Sequence, residues 1–125
     1  MIVITIMNRL IKQVEKEIKK NILPHLPIKK YILKKIYKNN NYLGFYKTGS
    51  IFNIPIIKLN LTCIKNSFKT KKLYPNFDIS LYDIILTTIL HELAHALQDL
   101  KGYCKEEEAE EFAYNYYFFG KIDKI

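Results

Sequence analysis

The sequence predicts an α+β domain. An N-terminal helix comes first, followed by a small, mainly antiparallel three-stranded sheet, a long helix, and a C-terminal helix that begins with glutamates. Apolar residues recur at helical spacing near both ends of the chain and alternate with polar residues in the middle. The length of 125 residues fits one domain with a single core, residues 1–125.

The first helix is indicated by apolar residues three and four positions apart, opposite a lysine-rich face. Asn8 is a candidate N-cap, and Pro24 ends the helix. A basic amphipathic helix can lie on a membrane or nucleic acid, but packing over a sheet with solvated lysines is the simpler interpretation. The apolar positions are Leu10, Ile11, Val14, Ile18 and Ile22.

Two stretches after this helix are expected to form strands of the sheet. Residues 28–37 fit either a helix or a strand, and we predict a strand because turn-forming asparagines follow. Residues 42–46 and 50–53 predict a short strand region that is interrupted by Gly44 and Gly49.

Residues 56–64 predict the clearest strand, because apolar and polar side chains alternate along them. The preceding Pro55 favours an edge position in the sheet. A basic, aromatic loop is expected over residues 66–79. Ser80 and Asp83 then have the spacing of a capping box, with Asp in place of the usual Glu, which predicts the start of a helix.

Two helices complete the chain. The first spans about residues 81–101 and the second about residues 105–119. Gly102 and Gly120 follow them, at the position just past a helix where glycine is common.

The long helix contains the motif H-E-x-x-H, at His91, Glu92 and His95. Side chains four positions apart project within about 40° of each other, so both imidazoles can reach one zinc ion at roughly 2.0–2.1 Å. Glu92 lies about 100° round from His91 and can hold a metal-bound water. Two exposed histidines on an amphipathic helix are the plain alternative. Two histidines at this spacing with a glutamate between them favour a metallohydrolase.

The remainder of the long helix predicts a core on one side and a cleft on the other. Thr88 and Gln98 lie near the histidines. The apolar face consists of Leu86, Ile89, Leu90, Leu93, Ala96, Leu97 and Leu100.

A catalytic zinc site usually has three protein ligands. Gln98 and Lys101 occupy the positions of glycine and histidine in the metzincin pattern, which excludes that class. The remaining candidates are the carboxylates of residues 106–111, of which Glu106 lies at the edge of the apolar face and Glu110 slightly farther out. Alternatively, acidic residues at a helix start only offset the macrodipole, by roughly 0.3–1 kcal/mol each. That explanation suits Glu107, Glu108 and Glu111, which are expected to point sideways or to solvent.

H-E-x-x-H followed by E-x-x-A-x-x-F-A, over residues 91–113, resembles the gluzincin pattern. The short chain resembles the minigluzincins, a family of minimal single-domain zinc metallopeptidases. The resemblance implies one zinc ion per chain, bound by the two histidines and Glu106, and hydrolysis of peptide bonds in a protein or peptide substrate, with Glu92 as the proton acceptor. It also implies a hydrogen bond to a zinc histidine from residue 110, where many gluzincins have aspartate and this chain has Glu110.

An endopeptidase also needs a place for the substrate chain and a group that stabilises the oxyanion. We expect the substrate to add as an extra strand along residues 56–64. A tyrosine could stabilise the oxyanion. The candidates by residue type are Tyr103, Tyr114, Tyr116 and Tyr117.

Charge is distributed unevenly. The net charge is +8, with 16 basic and 2 acidic residues over residues 1–74 and 4 basic and 10 acidic residues over residues 75–125. The competing class of function is a basic module that binds nucleic acid or protein and has a structural or non-catalytic metal site. No nucleic-acid recognition signature accompanies the lysines, so that partner is not expected.

Targeting features are not evident in the sequence. No apolar run approaches the 18 or so residues of a membrane span, and no cleavage site follows the apolar start. Cys63 and Cys104 are expected to be free, buried thiols rather than a disulfide. We therefore expect a cytoplasmic protein with no membrane partner.

The C-terminal segment, residues 121–125, contains Ile122 and Ile125 beyond the expected helix end. Burial of apolar surface is favourable by about 25 cal/mol per Å². We expect the segment to lie in the active-site cleft of its own chain or of a neighbouring copy. The resemblance to minigluzincins implies the same, because these resemble zymogens in having a C-terminal segment in the cleft. This predicts partial autoinhibition and a homo-oligomer formed through the C-terminal segment.

Overall fold

The computed structural model describes residues 2–47, 54–70 and 80–125. Within these ranges four helices and a three-stranded sheet form an α+β domain, which confirms the predicted fold class. The elements are α1 (Ile2–Asn21), a 3₁₀ turn (Leu23–His25), β1 (Ile32–Ile36), β2 (Gly44–Lys47), β3 (Ile56–Asn60), α2 (Leu61–Thr70), α3 (Leu81–Leu100) and α4 (Glu106–Phe119). None of these described helices is long and apolar enough to cross a membrane.

The sheet is mixed, with strand order β1–β3–β2. β2 pairs antiparallel with β3, and β1 pairs parallel with it. β3 is therefore the central strand, and the edge position predicted for residues 56–64 is wrong. Pro55 precedes the first paired residue of β3, so its missing N–H interrupts no bond of the ladder. Its carbonyl accepts a hydrogen bond from the backbone N–H of Ile32 at 2.9 Å.

β3 ends at Asn60, where the chain turns directly into α2, so the predicted strand over residues 56–64 is too long. The fully buried Asn60 side chain accepts a hydrogen bond from the Cys63 N–H at 3.5 Å, as a helix cap does. Its amide also donates to the carbonyl oxygens of Lys38 and Tyr42, at 3.1 and 2.9 Å. The Asn60 side chain therefore lies at the end of β3, caps α2 and hydrogen-bonds to the segment before β2.

The strands predicted before β3 are confirmed where the structure describes them. β1 lies inside residues 28–37, and β2 begins at Gly44 rather than being interrupted by it. Gly49 and residues 50–53 lie outside the described residues. The loop predicted over residues 66–79 is helical up to Thr70, because α2 continues to that residue, and residues 71–79 also lie outside the described part.

The core lies between α1, the sheet and α3. α1 begins well before Asn8, and its apolar side is buried against α3. The apolar face predicted for α3 is also buried, except that Leu100 is 65% exposed because it lies at the last turn. Fully buried members of the core include Met7, Ile18, Ile22, Ile57, Leu59, Ile85, Ile89, Leu90 and Phe112.

Both C-terminal helices begin and end close to where the sequence predicts. Ser80 and Asp83 form a reciprocal capping box: the Ser80 hydroxyl accepts from the Asp83 N–H at 3.2 Å, and the Asp83 carboxylate accepts from the Ser80 N–H at 3.1 Å. Gly120 ends α4 in the left-handed conformation, at φ 64°. These bounds place the histidine motif in the middle of a long, well-anchored helix.

Candidate metal centre

Helix α3 presents His91 and His95 to the cleft that it forms with β2 and α4. The spacing of four residues brings the two rings to a centroid separation of 4.8 Å, at an interplanar angle of 74°. The two Nε2 atoms lie 3.2 Å apart. His95 is buried and His91 is partly exposed, so the pair marks the floor of a surface cleft.

Helix α4 brings Glu106 to the same point. One carboxylate oxygen lies 2.9 Å from Nε2 of His91, and the other lies 2.8 Å from Nε2 of His95. The side chain of Glu106 remains 71% exposed, so the cluster is open toward solvent on its glutamate side. In the part of the chain that the structure describes, these three residues are the group suited to hold a metal ion, with their ligand atoms within 4.8 Å of one another.

The donor set fits zinc. Bond lengths of about 2.0–2.1 Å at tetrahedral angles put neighbouring ligand atoms roughly 3.3 Å apart, close to the spacing of the two imidazole nitrogens. Burial lowers the pKa of His91, although Glu106 opposes the shift, and a neutral imidazole is the form that binds metal. Two nitrogens and a carboxylate leave one tetrahedral position for a water or a substrate.

Glu92, the glutamate of the motif, lines the same cleft and is 7% exposed. Burial raises its pKa to about 7; His95 opposes this shift and the carboxylate of Glu106 adds to it. A carboxyl group with a pKa near neutrality can both accept and return a proton. Glu92 therefore lies in the same cleft as the two histidines, as its place in the motif predicts, and its burial raises its pKa.

The other glutamates of α4 divide into two groups. Glu107 and Glu111 are exposed, as expected. Glu108 differs from the expectation, because its carboxylate accepts hydrogen bonds from the Gln98 amide at 3.0 Å and from the Tyr103 hydroxyl at 2.5 Å. Glu110 lines the cleft and adds a negative charge that favours protonation of His91.

No hydrogen bond joins Glu110 to either histidine among the contacts of the described residues, so its predicted role remains a prediction. A different residue occupies that role for His95. Nδ1 of His95 lies 2.9 Å from the side-chain oxygen of Gln98, and the sulfur of Cys104 lies 3.7 Å from the same nitrogen. Sequence reasoning places Gln98 near the histidines but misses this contact. The available signal is an amide side chain three residues, less than one turn, after the second histidine of the motif.

The cleft has a volume of about 540 Å³ and lies between β2, α3 and α4. Among the described strands, β2 is an edge strand that lines the cleft, whereas β3, the strand expected to offer its edge to a substrate, is central. Glycine at position 44 allows β2 to lie close to α3, because a Cβ there would lie 2.9 Å from the Thr88 methyl and 3.3 Å from Cγ of Glu92. At the open end, the Tyr46 hydroxyl donates to the Asp99 carboxylate at 2.7 Å.

The structure narrows the tyrosine candidates for oxyanion stabilisation. Tyr103 and Tyr114 line the cleft. Tyr116 instead donates to Glu17 on α1 at 2.7 Å, and the Tyr117 hydroxyl interacts with Asp83. Cys63 is buried and free, whereas Cys104 is free but exposed, contrary to expectation, because it lies in the turn between α3 and α4.

The C-terminal segment does not enter the cleft of its own chain. Residues 121–125 fold back along α4, where the Asn115 amide donates to the Asp123 carboxylate at 2.8 Å. Ile122 and Ile125 are partly buried and pack against the core. The expected burial of the two isoleucines is thus found in part, but outside the cleft that contains the histidines. Insertion into a neighbouring copy remains a prediction.

Comparison of the chain with models of protein families, with curated proteins and with solved structures finds no match.

Proposed function

We propose that the protein is a zinc-dependent endopeptidase, in which His91, His95 and Glu106 hold the ion and Glu92 transfers the proton. The observation that carries the proposal is the convergence of two imidazole nitrogens and a carboxylate from two helices, beside a buried glutamate, on the floor of an open cleft. If the glutamates of α4 only offset the helix macrodipole, contact of Glu106 with both histidines would not be expected.

The residues of the site would have separate roles in metal binding and proton transfer. His95 and His91 present their Nε2 atoms to the ion, and Glu106 completes the set from the solvent side. When bound, zinc supplies Lewis acidity, which polarises a carbonyl and lowers the pKa of a water to about 7. Glu92 accepts the proton of the attacking water and returns it to the leaving amine, for which a pKa near 7 is suited.

The substrate chain would bind along β2. This strand is at the edge of the described sheet, its residues line the cleft, and its first residue, Gly44, lies over Glu92. An extended peptide that pairs with an edge strand gains main-chain hydrogen bonds, and its scissile bond would then lie above the histidines. Of the four tyrosines considered, Tyr103 and Tyr114 line the cleft and are the candidates for stabilising the oxyanion; the Tyr103 hydroxyl would have to leave the Glu108 carboxylate to do so.

The test is digestion of casein by the zinc-loaded protein and by Glu92→Ala, with Glu107→Ala as an exposed carboxylate control. We expect about one zinc per chain in all three proteins. Activity should fall by at least 10²–10⁴-fold in Glu92→Ala alone, the usual contribution of a general base. A folded, zinc-loaded Glu92→Ala with undiminished activity would refute the mechanism. A wild type that binds no zinc would refute the site.

A further inference from the structure

Gln98 is completely buried in the last turns of α3, and its amide group is fully hydrogen-bonded. The side-chain nitrogen donates to the carbonyl of Lys105 at 2.8 Å and to the carboxylate of Glu108 at 3.0 Å. The side-chain oxygen accepts from the backbone N–H of Lys105 at 3.1 Å and lies 2.9 Å from Nδ1 of His95. A buried amide with this many partners has one orientation only.

This orientation determines the tautomer of His95. The amide nitrogen must face two acceptors, the Lys105 carbonyl and the Glu108 carboxylate, so the amide oxygen must face the imidazole. An oxygen accepts but cannot donate, and Nδ1 of His95 must therefore carry the hydrogen. The lone pair of the neutral ring is then on Nε2, the atom that faces His91 and Glu106.

The same amide also determines where α4 begins. Gln98 binds both the N–H and the carbonyl of Lys105, and its backbone carbonyl accepts from the N–H groups of Lys101 and Tyr103. Lys105 is the N-cap of α4 and has no side-chain capping bond of its own. Glu106 is the next residue, so the position of this ligand is tied to Gln98 through one peptide unit.

We infer that Gln98 is the positioning residue of the metal centre: it holds His95 in the Nδ1–H tautomer and couples that ring to the placement of Glu106. The inference rests on the proposed metal site. Outer hydrogen-bond partners of ligating histidines fix ring orientation, and their loss lowers metal affinity by roughly 10–100-fold. Here a neutral amide from the same helix fills this position and binds the second ligand-bearing helix as well.

The first test observes the ring nitrogens of His95 by long-range ¹H–¹⁵N NMR in the zinc-loaded protein. Without the ion, the Glu106 carboxylate lies 2.8 Å from Nε2 and competes for the ring hydrogen. The chain has three histidines, so spectra of His91→Ala and His95→Ala complete the assignment. We expect an Nδ1–H on His95 that is hydrogen-bonded and exchanges slowly with solvent. A ring bound through Nδ1, or an Nδ1–H that exchanges freely, would overturn the inference.

The second test measures zinc affinity by competition with a chelator. Gln98→Leu should lower affinity by roughly 10–100-fold and release His95 from a single tautomer. Asn60→Leu is the matched control, since Asn60 is also a fully buried amide with several hydrogen bonds but lies outside the cleft. It should lower stability without changing zinc affinity. Equal affinity in Gln98→Leu and wild type would overturn the inference.

If Gln98→Leu does not fold, reciprocal substitutions at residues 98 and 108 provide the test. Gln98→Glu places a carboxylate against that of Glu108 and should lose zinc affinity through displacement of the Lys105 segment. Adding Glu108→Gln restores a donor between residues 98 and 108 and should recover part of the lost affinity, although the Lys105 carbonyl still faces a carboxylate oxygen. No recovery would count against the inference. A wild type that binds no zinc would contradict the proposed function itself, whereas tight zinc binding with the wrong tautomer contradicts only the role of Gln98.

Discussion

The close approach of β2 to α3 predicts that Gly44→Ala destabilises the domain. The added Cβ would lie 2.9 Å from the Thr88 methyl, 3.2 Å from the Lys58 carbonyl oxygen and 3.3 Å from Cγ of Glu92. Carbon atoms prefer about 3.5–4.0 Å, so the Thr88 methyl must move by more than half an ångström. Rotation of Thr88 is opposed, because its hydroxyl donates to the Ile84 carbonyl at 2.6 Å.

The expected loss of stability in Gly44→Ala is the difference between two opposing effects. Overfilling a packed site costs roughly 1–3 kcal/mol, and replacing glycine with alanine recovers about 0.5–1 kcal/mol of unfolded-chain entropy. A net loss of about 1–2 kcal/mol should lower the melting temperature by roughly 5 °C in a domain of this size. Activity per folded molecule should also fall, because the same displacement moves β2 away from Glu92.

Thr88→Ser provides the matched partner, since it removes the Cγ2 methyl and keeps the hydroxyl. Alone it should cost about 1 kcal/mol for one lost buried methyl. In the double variant the new Cβ of residue 44 fills the space, so the two effects should be less than additive by about 1 kcal/mol. Thermal unfolding of the four proteins measures this coupling. Simple additivity, or a Gly44→Ala that is more stable than the wild type, would refute the packing argument.

Three further outcomes are expected. Glu106→Ala should weaken zinc binding far more than Glu107→Ala, measured by chelator competition; equal small effects would show only an acidic helix start. Removing zinc with EDTA should lower the melting temperature by roughly 10 °C when zinc is present at about 100 times its dissociation constant, equivalent to about 2.7 kcal/mol. No change in melting temperature would contradict binding to the folded state. Deleting residues 121–125 should cost about 2 kcal/mol, because Ile122 and Ile125 pack against the core. A deletion that raises specific activity would instead support autoinhibition.

The clustering of His91, His95 and Glu106 is easier to predict from the sequence than the sheet. The helical repeat alone brings His91 and His95 together, and the resemblance to gluzincins implies that Glu106 lies beside them. The local signals at Ser80 and Gly120 predict helix ends because they act through neighbouring residues only. Features of this kind depend on short-range geometry, which a sequence records directly.

Features that depend on distant parts of the chain could not be predicted. Asn60 ends a strand and starts a helix because it binds residues about 20 positions earlier, a partnership that alternating apolar residues do not reveal. The central position of β3 depends on a parallel pairing with β1. The hydrogen bonds of Gln98 depend on the return of the chain at Lys105, and the place where Ile125 is buried depends on a tail that folds back along α4.

The central claim is an open zinc site made of His91, His95 and Glu106. X-ray absorption at the zinc edge of the loaded protein tests it most directly, because the spectrum distinguishes imidazole, oxygen and sulfur neighbours. We predict two imidazole neighbours, with oxygen in the remaining positions, and the same spectrum in Cys104→Ser. A sulfur neighbour at about 2.3 Å, contributed by Cys104, would close the site with a fourth protein ligand and contradict the account in favour of a structural metal.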